Sequence, residues 1–233
     1  MSIDIDIWIW RLEGDAATTA TRAAWLSPDE AERADRFVQE KHRLAHIHAR
    51  GRLRELLSRY TGTAPDQIAF AYGPHGKPFV HGGPMFNLSH AGGVALLAVH
   101  PELPLGADME AIRDIEDGVA RRFFSQAEYR ALSTLSPGDW TPAFFRCWTR
   151  KEAIVKALGA GLTLPLDSFD VTLRPQEPAR LLRLDGQSSQ AGDWAMAHLS
   201  LKPDLVGAVA MKTGGTPLRL HIKDAPPGLV PLP

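Results

Sequence analysis

Isoleucine recurs at every second position near the start of the chain. Ile3, Ile5, Ile7 and Ile9 alternate with Asp4, Asp6, Trp8 and Trp10. A period of two predicts a β-strand with one apolar face. SPDE, Ser27 to Glu30, follows with a serine, a proline at the first helical position and a glutamate three residues after the serine. That is a capping-box helix start. The helical pattern runs to about Tyr60 with a break near Glu40, and Gly62 and Pro65 end it. A glycine-rich connection, YGPHGKPFVHGGP, leads to FNLSHAGG and the apolar run VALLAVH. The run reads as a buried strand. After a turn at PELP, LGADME reads as a second strand.

The plan then recurs. Ser125 and Glu128 repeat the box of Ser27 and Glu30, each serine preceded by a large apolar residue. A helix around Trp148 follows, as the Arg43–Arg59 helix follows the first box. SFDVTLR, WAMAHLSL and LVGAVAMK are strand-like. The pattern predicts two related halves, residues 1–104 and 105–222, and an extended proline-rich tail at 223–233.

Composition narrows the class. The 233 residues are 44% hydrophobic and 23% charged, ordinary for a globular domain, and 26 basic against 27 acidic residues leave a net charge of −1. Any electrostatic role is therefore local, and bulk attraction to nucleic acid or membrane is not expected. A single cysteine, Cys147, excludes an internal disulfide. MSIDIDIWIW lacks the basic region and apolar run of a signal peptide, and no stretch approaches the ~20 apolar residues of a spanning helix. A cytoplasmic protein is the expectation.

Several positions carry potential chemistry. On a strand, Asp108 and Glu110 share one face while Leu105, Ala107 and Met109 share the other. Two like charges there suit either a solvated face or a hard cation such as magnesium. Phe145, Trp148, Glu152 and Val155 form one helical stripe, which puts a carboxylate in line with apolar residues. Lys156 lies four after Glu152. Such a pair is commonly a surface ion pair, yet a carboxylate on a buried or rim face needs a partner, Lys156 or a shared metal. Lys77, between glycines and prolines, reads as a turn lysine or a phosphate ligand. Ser89 and His90, just before two glycines, read as a strand end or a phosphate contact. SHAGG does not match the nucleophile elbow of a serine hydrolase. Arg43, Arg50 and Arg54 form a basic stripe, either solvated or fit for a single phosphate group. Nothing aromatic interleaves them, which weighs against nucleic acid.

GKP (Gly76–Pro78), FNLSH (Phe86–His90), GADME (Gly106–Glu110) and WTRKEAIVK (Trp148–Lys156) occur in this order. Together they resemble the Sfp-type 4′-phosphopantetheinyl transferases, over most of the chain. Ala107 and Met109 stand where β-branched residues are more usual. The resemblance implies an α+β fold of two pseudo-repeated halves related by a pseudo-twofold, with the active site between them. It implies transfer of the 4′-phosphopantetheine group of coenzyme A to a serine of an apo acyl or peptidyl carrier protein, with release of adenosine 3′,5′-bisphosphate. Fatty acid, polyketide and non-ribosomal peptide carriers are all candidates. By the same resemblance Asp108, Glu110 and Glu152 hold Mg2+, and Lys156 steadies the diphosphate. Arg43, Arg50, Lys77, Pro78, Ser89 and His90 belong to the nucleotide side. Glu152 is the candidate base for the serine proton, directly or through water. The alternative is a degenerate module that binds coenzyme A without catalysis. Arg121, Arg122, Arg150 and Lys151 form a candidate docking patch for an acidic carrier, and a monomer is expected.

Overall fold

A computed structural model describes residues 1–184, 190–202 and 204–223. In chain order the elements are β1 (Ile3–Arg11), α1 (Ala16–Ala24), α2 (Pro28–Asp35), α3 (Glu40–Thr61), β2 (Ala71–Tyr72), β3 (Pro78–Phe79), β4 (Met85–Ala91), β5 (Val94–His100) and β6 (Leu105–Ala111). They continue with α4 (Asp117–Phe123), α5 (Gln126–Ser133), α6 (Pro137–Leu158), β7 (Asp170–Val171), β8 (Leu181–Arg183), β9 (Trp194–Lys202), β10 (Leu205–Lys212) and β11 (Leu218–Lys223).

The two halves repeat one topology. In the first, β1, a set of helices and the β4–β5 hairpin give the order β1-β5-β4. In the second, β6, a set of helices and the β9–β10 hairpin give β6-β10-β9. The fold is therefore α+β and internally repeated. The local causes repeat as well. Glu30 and Glu128 accept hydrogen bonds from the N–H groups of Ser27 and Ser125, closing both capping boxes. Both long helices have 22 residues and stop at a left-handed glycine, Gly62 (φ 69°) and Gly159 (φ 63°).

Three apolar layers hold the elements together. Ile5, Ile7 and Ile9 of β1 pack with Ala107, Met109 and Val209 between the two sheets. Trp8, Trp10 and Leu97, on the opposite face, pack against Leu53 and Leu57 of α3. Phe144, Phe145 and Ile154 of α6 cover Ala208 and Ala210 of β10. The alternation of β1 is thus buried on both faces, one against a sheet and one against a helix.

Three features differ from the sequence reading. β11, read as the end of the second half, pairs in parallel with β1 and completes the first sheet. SFDVTLR contributes only the short β7, because the Arg150 guanidinium takes the Thr172 carbonyl. α1, absent from the sequence reading, is built of alanine and threonine around one arginine with no large apolar residue, and buries none of its residues. The segment expected to be an extended tail lies, apart from Lys223, outside the described residues. Among the described residues no helix is long and apolar enough to cross a membrane.

Candidate active site

β4 and β6 lie side by side at the junction of the halves, and the two sheets are not joined by a backbone ladder there. Side chains of β4 stitch the junction instead. Asn87 Oδ1 accepts from the Ala107 N–H at 2.7 Å. Ser89 Oγ accepts from the Met109 N–H at 3.2 Å and donates to Asp108 Oδ1 at 3.1 Å.

α6 lies directly on β6. A Cβ built on Gly106 would stand 2.0 Å from the Ala153 carbonyl oxygen, so only glycine admits the helix at this distance. The approach sets Lys156 Nζ 2.5 Å from Asp108 Oδ1. The i,i+4 partner that the sequence suggests, Glu152, is passed over for a residue on another element. Asp108 is buried, and its Oδ2 has no hydrogen-bond partner.

The three carboxylates sense one another. Burial raises the Glu152 pKa, the Asp108 charge raises it further, and Lys156 opposes both. Burial also raises Glu110, helped by Asp108 and Glu152 and opposed by Arg113 and Lys156. Among the described residues no group of three His, Cys, Asp or Glu side chains forms a ready-made metal cage. The donors nevertheless fit a hard cation. A buried carboxylate oxygen without a partner sits beside two carboxylates whose charge is disfavoured, and a divalent ion would relieve both deficits.

Two hollows adjoin at Gly76 and Pro78, one of them bordered by Glu152 and Lys156. One, about 960 Å3, is lined by Arg33, Lys41, His42, Arg50 and His90, with Glu30 and Asp29 at its wall. The other, about 640 Å3, is lined by Phe123, Trp148, Val155, Leu164 and Leu166, with Glu152 and Lys156 at one side. Gly76 and Pro78 belong to the lining of both.

The remaining expected residues divide. Arg50 and His90 line the basic hollow, with the Arg50 guanidinium paired to Glu30 and 4.4 Å from the Phe70 ring centroid. Arg43 lines neither hollow, because Glu40 draws its guanidinium into a bidentate pair at 2.8 Å. Ser89 is buried and engaged with β6. Lys77 lines the apolar hollow, but its ammonium donates to the carbonyls of Leu105 and Lys156, both at 2.7 Å. Burial and the neighbouring Lys156 bring its pKa down to about 8. Arg54 leaves the basic stripe for the interior, where it pairs with Glu30. Arg150 and Lys151 cannot belong to a docking patch, being 1% and 0% exposed. Asn87 had no assigned role. Its signal in the sequence is an amide sharing a strand face with Ser89, inside a segment that otherwise reads as apolar.

Comparison with known proteins identifies the family. A family model described as the 4′-phosphopantetheinyl transferase superfamily matches residues 104–209. A second, described as 4′-phosphopantetheinyl transferase, N-terminal, matches residues 11–102. The 4′-phosphopantetheinyl transferase HetI of Nostoc sp. is 37% identical over 91% of this chain and 89% of its own length. A 4′-phosphopantetheinyl transferase of Bacillus subtilis is 30% identical over 82% of this chain and 88% of its own. The 4′-phosphopantetheinyl transferase Sfp of Bacillus subtilis strain 168 is 33% identical over 64% and 67%. With a duplicated topology, a carboxylate cluster at the junction and these relatives, the chain belongs to the 4′-phosphopantetheinyl transferase family.

Proposed function

We propose that this enzyme transfers the 4′-phosphopantetheine group of coenzyme A to a serine of an apo acyl or peptidyl carrier protein, using the junction around Asp108 and Lys156. One observation carries the assignment of the site. Glu152 and Lys156 border the apolar hollow, Lys156 is paired with the buried Asp108, and Gly76 and Pro78 join that hollow to a cationic one. Coenzyme A has the same order of parts: an anionic nucleotide, a diphosphate and an uncharged arm.

In this reading Arg50, His90, Arg33 and Lys41 receive the nucleotide and its 3′-phosphate. The arm lies along Phe123, Trp148 and Leu164. Asp108, Glu110 and Glu152 would hold Mg2+, whose charge offsets that of the diphosphate. Lys156 already faces the junction, and its ammonium is available to neutralise phosphate oxygens when the diphosphate arrives. The carrier serine oxygen attacks the phosphorus that bears the arm. The bond to the other phosphate breaks, and adenosine 3′,5′-bisphosphate leaves. The serine proton needs an acceptor, and Glu152, with its raised proton affinity, borders the hollow. A single chain supplies both sides of the site, which supports a monomer as the working unit.

Incubation with coenzyme A, Mg2+ and a panel of apo carrier proteins tests this. A mass gain of one phosphopantetheine arm on a carrier is the expected result. Binding of coenzyme A with no gain on any carrier would establish the non-catalytic module instead.

A further inference from the structure

The two halves share a device that motif reading does not show. In the first half, the capping-box Glu30 is buried and pairs with Arg54 of α3 at 2.7 Å. Arg54 also donates to the carbonyls of Pro65 and Ile68, in the turn that follows its helix. In the second half, Glu128 is buried and pairs with Lys151 of α6 at 2.7 Å. Lys151 donates to the carbonyls of Leu166 and Phe169, again in the segment after its helix. Glu128 also accepts from the Val171 N–H at 2.8 Å. Each pair binds a cap, a long helix and the chain beyond it at one buried point.

The second copy lies against the site. Leu164, Pro165, Leu166 and Asp167 form one wall of the apolar hollow. Lys151 precedes Glu152, which borders the same hollow from α6. A fully buried lysine with three acceptors is a costly arrangement unless each bond is made. Here every bond leads to the cap or the wall.

We propose that Lys151, with Glu128, is a positioning residue for the transfer: it fixes the 161–169 wall against α6 and so sets the arm's approach to Glu152, without touching substrate. This rests on the reading of the apolar hollow as the seat of the arm. The buried Arg54–Glu30 pair predicts that arginine serves in place of lysine.

The test uses Lys151→Arg, Lys151→Met and the double variant Lys151→Met with Glu128→Gln. The single Met variant strands a buried carboxylate and is expected to unfold at lower temperature; the double variant removes both charges and recovers stability. Expected for the double variant is a fall in kcat of about tenfold or more, since small misplacements near reacting groups carry such penalties. Its affinity for adenosine 3′,5′-bisphosphate, which does not reach the wall, stays within about twofold of the parent. Lys151→Arg keeps kcat within about threefold. A stable double variant with parental kcat overturns the proposal, as does equal loss of nucleotide affinity and kcat. Absence of transfer by the parent chain is a different outcome, and it strikes the reading of the site itself.

Discussion

Lys156 of α6 and Asp108 of β6, 48 positions apart in sequence, meet through Nζ and Oδ1 at 2.5 Å. The bond uses one oxygen of a buried carboxylate and leaves the other without a partner. The junction is thus only partly neutralised by Lys156. Its remaining negative charge, shared with Glu110 and Glu152, has a measurable thermodynamic signature.

Glu152→Gln separates stability from activity. The folded-state pKa of Glu152 is raised, so its contribution to stability is complete below the unfolded value of 4.5 and is lost as pH rises through the folded value. Removing the charge should raise the melting temperature of the ligand-free protein at pH 7 by about 1–3 °C. Transfer should fall by about 100-fold or more. Calorimetry with an intact-mass assay checks both; a destabilised variant that transfers normally contradicts both halves of the expectation.

Divalent metal should act on the same charges. Mg2+ with coenzyme A is expected to raise the melting temperature, reaching about 2.7 kcal/mol of stabilisation at a hundredfold excess over the dissociation constant. The shift should vanish in Asp108→Asn, and a chelator should stop transfer until Mg2+ is restored. An unchanged metal-dependent shift in Asp108→Asn would remove Asp108 from the ligand set.

Gly106→Ala probes the contact of α6 with β6. Its new methyl would meet Ala153 O at 2.0 Å and Ala157 N at 2.3 Å, both backbone atoms. The helix must retreat, at a cost of about 1–3 kcal/mol. Because Lys156 and Glu152 move with it, kcat should fall by about 100-fold. Chemical denaturation and steady-state kinetics report the two effects separately, and parental kinetics in a folded variant would show that the close approach is dispensable.

Asn87→Ala tests the stitching between the halves. The buried Ala107 N–H loses its acceptor, which costs about 1–3 kcal/mol. Hydrogen exchange at Ala107 should accelerate relative to the β10 amides. Equal protection in parent and variant would mean that the amide side chain is not what holds β4 to β6.

Much of this was legible in the chain. The Ser27–Glu30 and Ser125–Glu128 boxes announce helix starts through local chemistry, and the period of β1 through burial. The family resemblance grouped Asp108, Glu110, Glu152 and Lys156, and the structure pairs Lys156 with Asp108 and brings the carboxylates within electrostatic reach of one another. The destinations of the cations were not legible. Arg43, Arg54, Lys77, Arg150 and Lys151 have long, flexible stems, and a stem does not reveal whether its head meets water, a carboxylate or a carbonyl. Those choices depend on distant partners: Lys77 on Lys156 O, Arg54 on Glu30, Arg150 on Thr172. β11 escaped for a related reason. LRLHIK interleaves charges, and its place beside β1 follows from pairing across the whole molecule, with His221 bound to Asp4 at 2.8 Å.

The parallel pairing of Leu218–Lys223 with Ile3–Trp8 has a last consequence. A cut at the connection between β5 and β6 would not yield two self-sufficient pieces, since the first would lack its outer strand and the second would carry an orphan. The duplication is locked by an exchanged arm, like a clasp closed behind both leaves.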